Sequence, residues 1–299
     1  MAPMRRLPMI ALMAVFSLGL LYSMTHYYSL SSPLALTPTK LDADKPAPYS
    51  GPPPASAWTK HLEPKPPVKM GKLRFAIATF ITKQESYMWL SLSGKHEYAK
   101  RHGYDFHVDY SLGQRDKDKL MWHKMVMLEE LTATGKYDWI WWIDFDSLIT
   151  NTSVTLQSIV ESSLAMVHPA RRDEIDMFLT ADCFPLNAGS MLFRATPRIY
   201  PFTKRVWRCS ETHPHYNEQT CIMDLVLNNT WHDGDHAFFV PQYTINAFPP
   251  EIRCYDKHGK AWEKGMFMVH FPGAWAHLKD QEDPYGFLMR KYAPLIVHE

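Results

Sequence analysis

An unbroken run of large apolar residues, Trp139-Ile140-Trp141-Trp142-Ile143, ends abruptly in two carboxylates one residue apart, Asp144 and Asp146. Preceded by the turn-forming Gly135-Lys136-Tyr137-Asp138, it predicts a strand buried on both faces of a parallel sheet. Ligands of such sheets bind beyond the carboxyl ends of the strands, where this pair stands. If strand alternation continues, Asp144 and Asp146 share a face and their oxygens converge on one point. Two converging hard anions suit a divalent cation with open positions for water or a substrate diphosphate, as expected of Mg²⁺ or Mn²⁺ handling nucleotides. The competing reading is a pair of solvated aspartates capping the next element.

The rest of the chain supplies a frame for that corner. Residues 7–28 carry no formally charged side chain, and 22 helical positions span about 33 Å, enough to cross a bilayer. Arg5 and Arg6 precede the run, while the first charge beyond it is Lys40, so residues 1–6 are expected in the cytosol and the remainder in the lumen. A cleaved signal peptide is the alternative, with an apolar core usually shorter than this one. Residues 29–72 hold ten of the 23 prolines and few large apolar residues, which predicts an extended stem. Tail, membrane anchor and stem together form the layout of a type II membrane enzyme of the secretory pathway.

From residue 73 the pattern turns globular. Residues 73–80 read as a first strand and 87–101 as a helix closed by His102-Gly103. A second strand is expected at 104–108 and a helix at 120–134, capped by Gly135, with Leu120, Leu128 and Leu131 on one face. Lys124 lies on that face too; spacing favours a lysine snorkelling past the core edge over one that meets an anion. Strands alternating with helices predict an α/β fold with a mostly parallel sheet, in one domain spanning 73–299.

Past the aspartates, Phe184-Pro185-Leu186-Asn187-Ala188-Gly189-Ser190 places small residues between apolar flanks, either for close backbone approach to a ligand or for a tight turn entering a strand. Tyr216-Asn217-Glu218-Gln219 opens an apolar helix over 220–227, where Glu218 either faces a cleft or complements the helix dipole. Residues 266–273, Met-Phe-Met-Val-His-Phe-Pro-Gly, again deliver one metal-capable side chain, His270, from an apolar strand, and a structural histidine is the alternative. Cys183, Cys209, Cys221 and Cys254 have no zinc spacing, so disulfides are expected, with three pairings open. Sequons at Asn151 and Asn228 fit a lumenal address. With 32 Lys plus Arg against 31 Asp plus Glu, charge implies no nucleic-acid partner.

Six stretches, taken in order, are shared with one family: Met121-Trp122-His123-Lys124; Trp139 to Asn151; Leu186-Asn187-Ala188-Gly189-Ser190; Glu218-Gln219; Pro241-Gln242 with Asn246-Ala247-Phe248; and Val269-His270-Phe271-Pro272-Gly273. The chain resembles glycosyltransferase family 34, the fungal Golgi α-galactosyltransferases and α-mannosyltransferase subunits, with plant xyloglucan xylosyltransferases as relatives. The resemblance covers 73 to about 279. It implies a GT-A fold, a Mn²⁺-dependent nucleotide-sugar donor with Mg²⁺ as the substitute metal, a glycan acceptor, and retention of anomeric configuration. It further implies Asp144, Asp146 and His270 as the metal site, and Lys124, Asn187, Gly189 and Gly273 as donor contacts beside Asp144. Gln219 would stand beside the anomeric carbon, with Glu218 as the covalent alternative. Ala274 departs from relatives that carry Cys there.

UDP-galactose is the favoured donor, with GDP-mannose and UDP-xylose also used in such a family; a Golgi complex or self-association is left open. Two other classes compete. A haloacid-dehalogenase-like phosphatase would use Asp144 as a nucleophile, but its usual Thr is Leu148 here and about 70 residues of α/β chain precede the motif. A non-catalytic scaffold subunit of a Golgi glycan-polymerising complex would keep the fold without turnover.

Overall fold

The computed structural model describes residues 68–110 and 117–298. The expected tail, membrane span and most of the stem lie outside them; no helix among the described residues is long and apolar enough to cross a membrane. Residues 68–73 lie along the folded unit: the Val68 and Met70 amides donate to Glu161, and Val68, Met70 and Leu73 pack on its core.

In chain order the strands are β1 (Phe75–Phe80), β2 (Asp105–Asp109), β3 (Trp139–Ile143), β4 (Ser147–Ile149), β5 (Met177–Thr180), β6 (Asn187–Arg194), β7 (Ala237–Phe239) and β8 (Met268–His270). Helices α1 (Met88–His102), α2 (His123–Ala133), α3 (Leu156–Met166), α4 (Ile199–Thr212), α5 (Glu218–Asn228), α6 (Gln242–Ile245), α7 (Ala274–His277) and α8 (Pro284–Tyr292) surround them. The main sheet runs β2-β1-β3-β6-β5-β7. The pairings β1–β2, β1–β3 and β5–β7 are parallel, as a mostly parallel sheet requires, while β6 runs antiparallel to both β3 and β5, so β3 has one antiparallel neighbour where a parallel one was expected. The connection at 181–186 is too short for the helical crossover that a β6 parallel to β5 would need.

Strand periodicity sorts the core into layers. Ile140 and Trp142 join Met125, Leu128, Val206 and Ile222 from α2, α4 and α5 on one face. On the other, Trp139 and Trp141 meet Tyr98 of α1 and Ile159 and Leu164 of α3. All five residues of β3 are buried, as the apolar run predicts. A third cluster links Tyr87 and Leu148 to Phe248, Phe271, Leu288 and Tyr292 near the C-terminus.

α1 closes where expected, because Gly103 adopts φ +69 and turns its amide back onto Ala99 and Lys100. The helix expected at 120–134 begins instead as a 3-10 turn, Lys117–Trp122, and becomes α-helical only at His123. Disulfides join Cys183 to Cys254 and Cys209 to Cys221, the latter tying α4 to α5.

Candidate active site

β3 ends one residue before the carboxylate pair, so Asp144 and Asp146 do not converge by strand alternation as expected. They converge across a turn. The Asp144 amide donates to Gly189 O of β6 (2.7 Å), and the Ser147 hydroxyl reaches back to Asp144 O (2.6 Å), folding residues 144–147 into a corner. β4 then leaves antiparallel to β8, with Ser147 opposite His270, and the Phe271 amide donates to Asp146 O (3.0 Å). This two-stranded ribbon carries His270, 124 residues further along the chain, to the second aspartate. Nε2 of His270 stands 3.3 Å from Asp146 Oδ1, and ligand atoms of Asp144, Asp146 and His270 all lie within 4.8 Å of one another.

A chain of amides sets the histidine. Asn246 donates through Nδ2 to Thr180 Oγ1 and Asn187 Oδ1 (2.9 Å each), which turns its Oδ1 towards His270 Nδ1 at 2.8 Å. An amide oxygen only accepts, so Nδ1 carries the proton and the Nε2 lone pair faces Asp146. Two acceptors facing one another across 3.3 Å are repulsive unless a proton or a cation lies between them. The donor set, two carboxylates and an imidazole ordered by an outer hydrogen bond, therefore fits a divalent transition metal such as Mn²⁺. Gly189 completes the fit, because a Cβ there would lie 2.1 Å from His270 Cε1.

Lys124 corrects the expectation of a snorkelling side chain. It is 1% exposed, and its ammonium points inward to Glu218 Oε1 (2.8 Å), Ala188 O (3.3 Å) and Asp144 Oδ1 (3.7 Å), above the Trp142 ring. The reason is charge: burial alone would lower its pKa, but Asp144 and Glu218 outweigh that and hold it above the usual lysine value. Burial pushes Asp144 up, partly countered by Lys124; burial pushes Asp146 the same way, but with a proton in the gap to Nε2 the positively charged imidazole outweighs it and holds Asp146 below the ordinary carboxylate range. Trp142 Nε1 fixes the first aspartate by donating to Asp144 Oδ1 (2.8 Å).

Of the other expected site residues, Gln219 is the second residue of α5 and half-buried, its Oε1 accepting from the Ala188 amide (2.9 Å). Glu218 is buried and committed to Lys124. Asn187 is committed as well: Nδ2 donates to Asp182 Oδ2 (2.9 Å) and Oδ1 accepts from Asn246 and the Gly189 amide. Gly273 adopts φ +59 and starts the short α7, three residues after His270. Sequence reasoning missed Asn246 and Asp182 as supports, and Lys95, whose buried ammonium lies behind the turn. The Asn246-Ala247-Phe248 stretch signalled only that the segment was shared. Asn151 is engaged by Gly265 O and Ser153, away from the metal-capable cluster.

This α/β sheet, with metal-capable carboxylates in a turn beyond β3, has a counterpart among solved glycosyltransferases. Among solved structures, a glycosyltransferase involved in glycosylation of the major capsid of PBCV-1 superposes with a TM-score of 0.56 at 18% identity, covering 73% of this chain and 99% of that one. The sequence then gives the family: the profile of the galactosyl transferase GMA12/MNN10 family matches residues 77–281, and the chain belongs to that family. Relatives include "Probable alpha-1,6-mannosyltransferase MNN10" of Saccharomyces cerevisiae, 26% identical over 54% of this chain and 48% of that protein. "Alpha-1,2-galactosyltransferase" of Schizosaccharomyces pombe is 29% identical over 61% and 55%. The match spans about half the length of these relatives.

Proposed function

We propose that this chain is a retaining α-hexosyltransferase that moves a sugar from a nucleotide donor to a glycan acceptor, with Mn²⁺ in the site of Asp144, Asp146 and His270. UDP-galactose is the favoured donor and GDP-mannose the alternative, in keeping with the galactosyl- and mannosyltransferase names of the relatives. The observation that carries this is the meeting of Nε2 and two carboxylates beside a buried lysine, at the end of the central strand of a glycosyltransferase fold.

The metal would offset the negative charge that builds on the departing diphosphate. The protein supplies the rest. Lys124 adds a fixed positive charge 3.7 Å from Asp144, and Glu218 keeps it aimed there instead of acting as a free nucleophile. Gln219 cannot ionise; with Oε1 held by the Ala188 amide, its position beside β6 is fixed, suiting it to steady developing charge on the sugar. The four carboxylates at this corner, Asp144, Asp146, Asp182 and Glu218, are occupied by the cluster, by Asn187 or by Lys124, which favours retention with the leaving phosphate accepting the acceptor's proton.

The layout with tail 1–6, anchor 7–28 and stem 29–72, as a single-pass type II Golgi membrane protein with a lumenal catalytic domain, belongs to the same proposal and rests on the sequence pattern. The full chain in detergent is to be screened with UDP-galactose, GDP-mannose and UDP-xylose, reading nucleoside diphosphate release and the anomeric proton of the product. One donor should be consumed with Mn²⁺ and yield an α-product; a β-product, or no consumption of any donor, would sink the proposal.

A further inference from the structure

Lys95 and Ser91 lie one helical turn apart on α1, and both are about 1% exposed. Lys95 Nζ donates to Ser147 O (2.8 Å), to Ser91 Oγ (2.7 Å) and, more distantly, to Phe145 O (3.4 Å). The Ser91 hydroxyl donates to Phe145 O (2.5 Å), and the ammonium also lies 5.7 Å from the centre of the Phe145 ring. Among the described residues no carboxylate is within ion-pairing distance of Nζ, although burial of an unpaired ammonium is costly. Its partners are instead the two backbone carbonyls on either side of Asp146. Burial pushes the ammonium down to about 7, against the fields of Asp146 and Asp144.

We propose that Lys95, with Ser91, is a positioning pair that grips the carbonyls of Phe145 and Ser147 and holds the 144–147 turn in its cation-receiving shape. The inference rests on the metal-site reading above. Short turns rich in backbone polar groups are mobile unless those groups are satisfied, and here the satisfaction comes from a rigid 15-residue helix. Geometry and charge make opposite predictions for its removal. A cation near Asp144 and Asp146 is repelled by the Lys95 charge, so if only charge mattered, Lys95→Met would tighten metal binding. If positioning dominates, the same change loosens it.

The test uses the full chain in detergent and Mn²⁺ alone, titrated by the loss of the free-ion magnetic resonance signal. Measurements cover wild type, Lys95→Met, Ser91→Ala and, as a site control, Asp146→Asn. Backbone hydrogen exchange over residues 143–150 is recorded without metal. Lys95→Met should weaken Mn²⁺ binding about tenfold, as loss of an outer partner of a metal site does. Ser91→Ala, the variant that leaves the lysine in place, should weaken it roughly threefold. Both should accelerate exchange at 143–150 and leave β1 unchanged. Tighter or unaltered Mn²⁺ binding, or unaltered exchange in both variants, overturns the positioning role. If wild type and Asp146→Asn bind Mn²⁺ equally, the metal-site reading fails instead, and the exchange data still decide whether Lys95 and Ser91 hold the turn.

Discussion

Gly189→Ala isolates the link between the sheet and the metal-capable cluster. An added Cβ would lie 2.1 Å from His270 Cε1, 2.8 Å from Nδ1 and 2.9 Å from Nε2, where ordinary contact needs about 3.5 Å. Something must move by about 1.4 Å, and the imidazole is the nearest atom group. It has little room: His270 is 2% exposed, tied to Asn246 at 2.8 Å and edge-on to Phe248. A metal ligand tolerates only about 0.2 Å of misplacement, so the displaced ring leaves the site. Overpacking of this kind costs about 1–3 kcal/mol, and a domain of this size loses roughly 2–4 °C in Tm for each. The expected outcome is a Tm lower by about 2–12 °C and a loss of Mn²⁺ affinity of at least tenfold, read by thermal melting and metal titration. A Gly189→Ala protein with wild-type Tm and wild-type metal affinity would mean that no steric route connects Gly189 to His270.

Lys124→Met leaves Glu218 buried without its cation and should cost about 3–5 kcal/mol in denaturant unfolding; adding Glu218→Leu should restore part of that loss. Equal stability of the single and double variants would contradict the pairing. For Lys95, folding depresses the pKa from 10.5 to about 7, so between those values the unfolded chain binds more protons and stability climbs with pH. Wild type should therefore gain up to about 4 kcal/mol relative to Lys95→Met from pH 7 to 10.5, and parallel stability curves would dismiss the shift. Removing Cys183–Cys254, which closes a span of 71, should cost about 4 kcal/mol, against about 3 for Cys209–Cys221 with its span of 12. Paired Cys→Ala variants and their unfolding midpoints check the order, and the reverse order would count against it.

What could be read from the chain alone was whatever repeats locally. The five apolar residues before Asp144 announced β3, and Gly103 announced the end of α1. Convergence of Asp144 with Asp146 was expected from strand alternation although a turn achieves it, whereas the meeting of His270 with them was anticipated only through the family resemblance, residue types having left it open. The orientation of β6 was hidden because the small residues at 187–190 suit a turn and a strand equally, and pairing direction depends on contacts with β3 and β5 that no local pattern encodes. Lys124 was misplaced for a related reason. Helical spacing gives the face of a side chain but not its partner, and the partner, Glu218, is 94 residues away. Asn246 and Lys95 are single polar residues whose purpose is a neighbour distant in sequence, so nothing in their own surroundings marks them.

On the proposed function, Asp146 and His270 hold one ion that the donor reaction requires. Nucleotide-sugar turnover measured against Mn²⁺ concentration for wild type, Asp146→Asn and His270→Ala tests it most directly. Asp146→Asn should collapse turnover at every Mn²⁺ concentration, because the charge facing Nε2 is gone while the size is kept. His270→Ala should shift the titration to higher Mn²⁺ and recover partly in excess metal, since one neutral ligand among several is lost. A His270→Ala enzyme with an unchanged metal titration, or an Asp146→Asn enzyme with wild-type turnover, would contradict it.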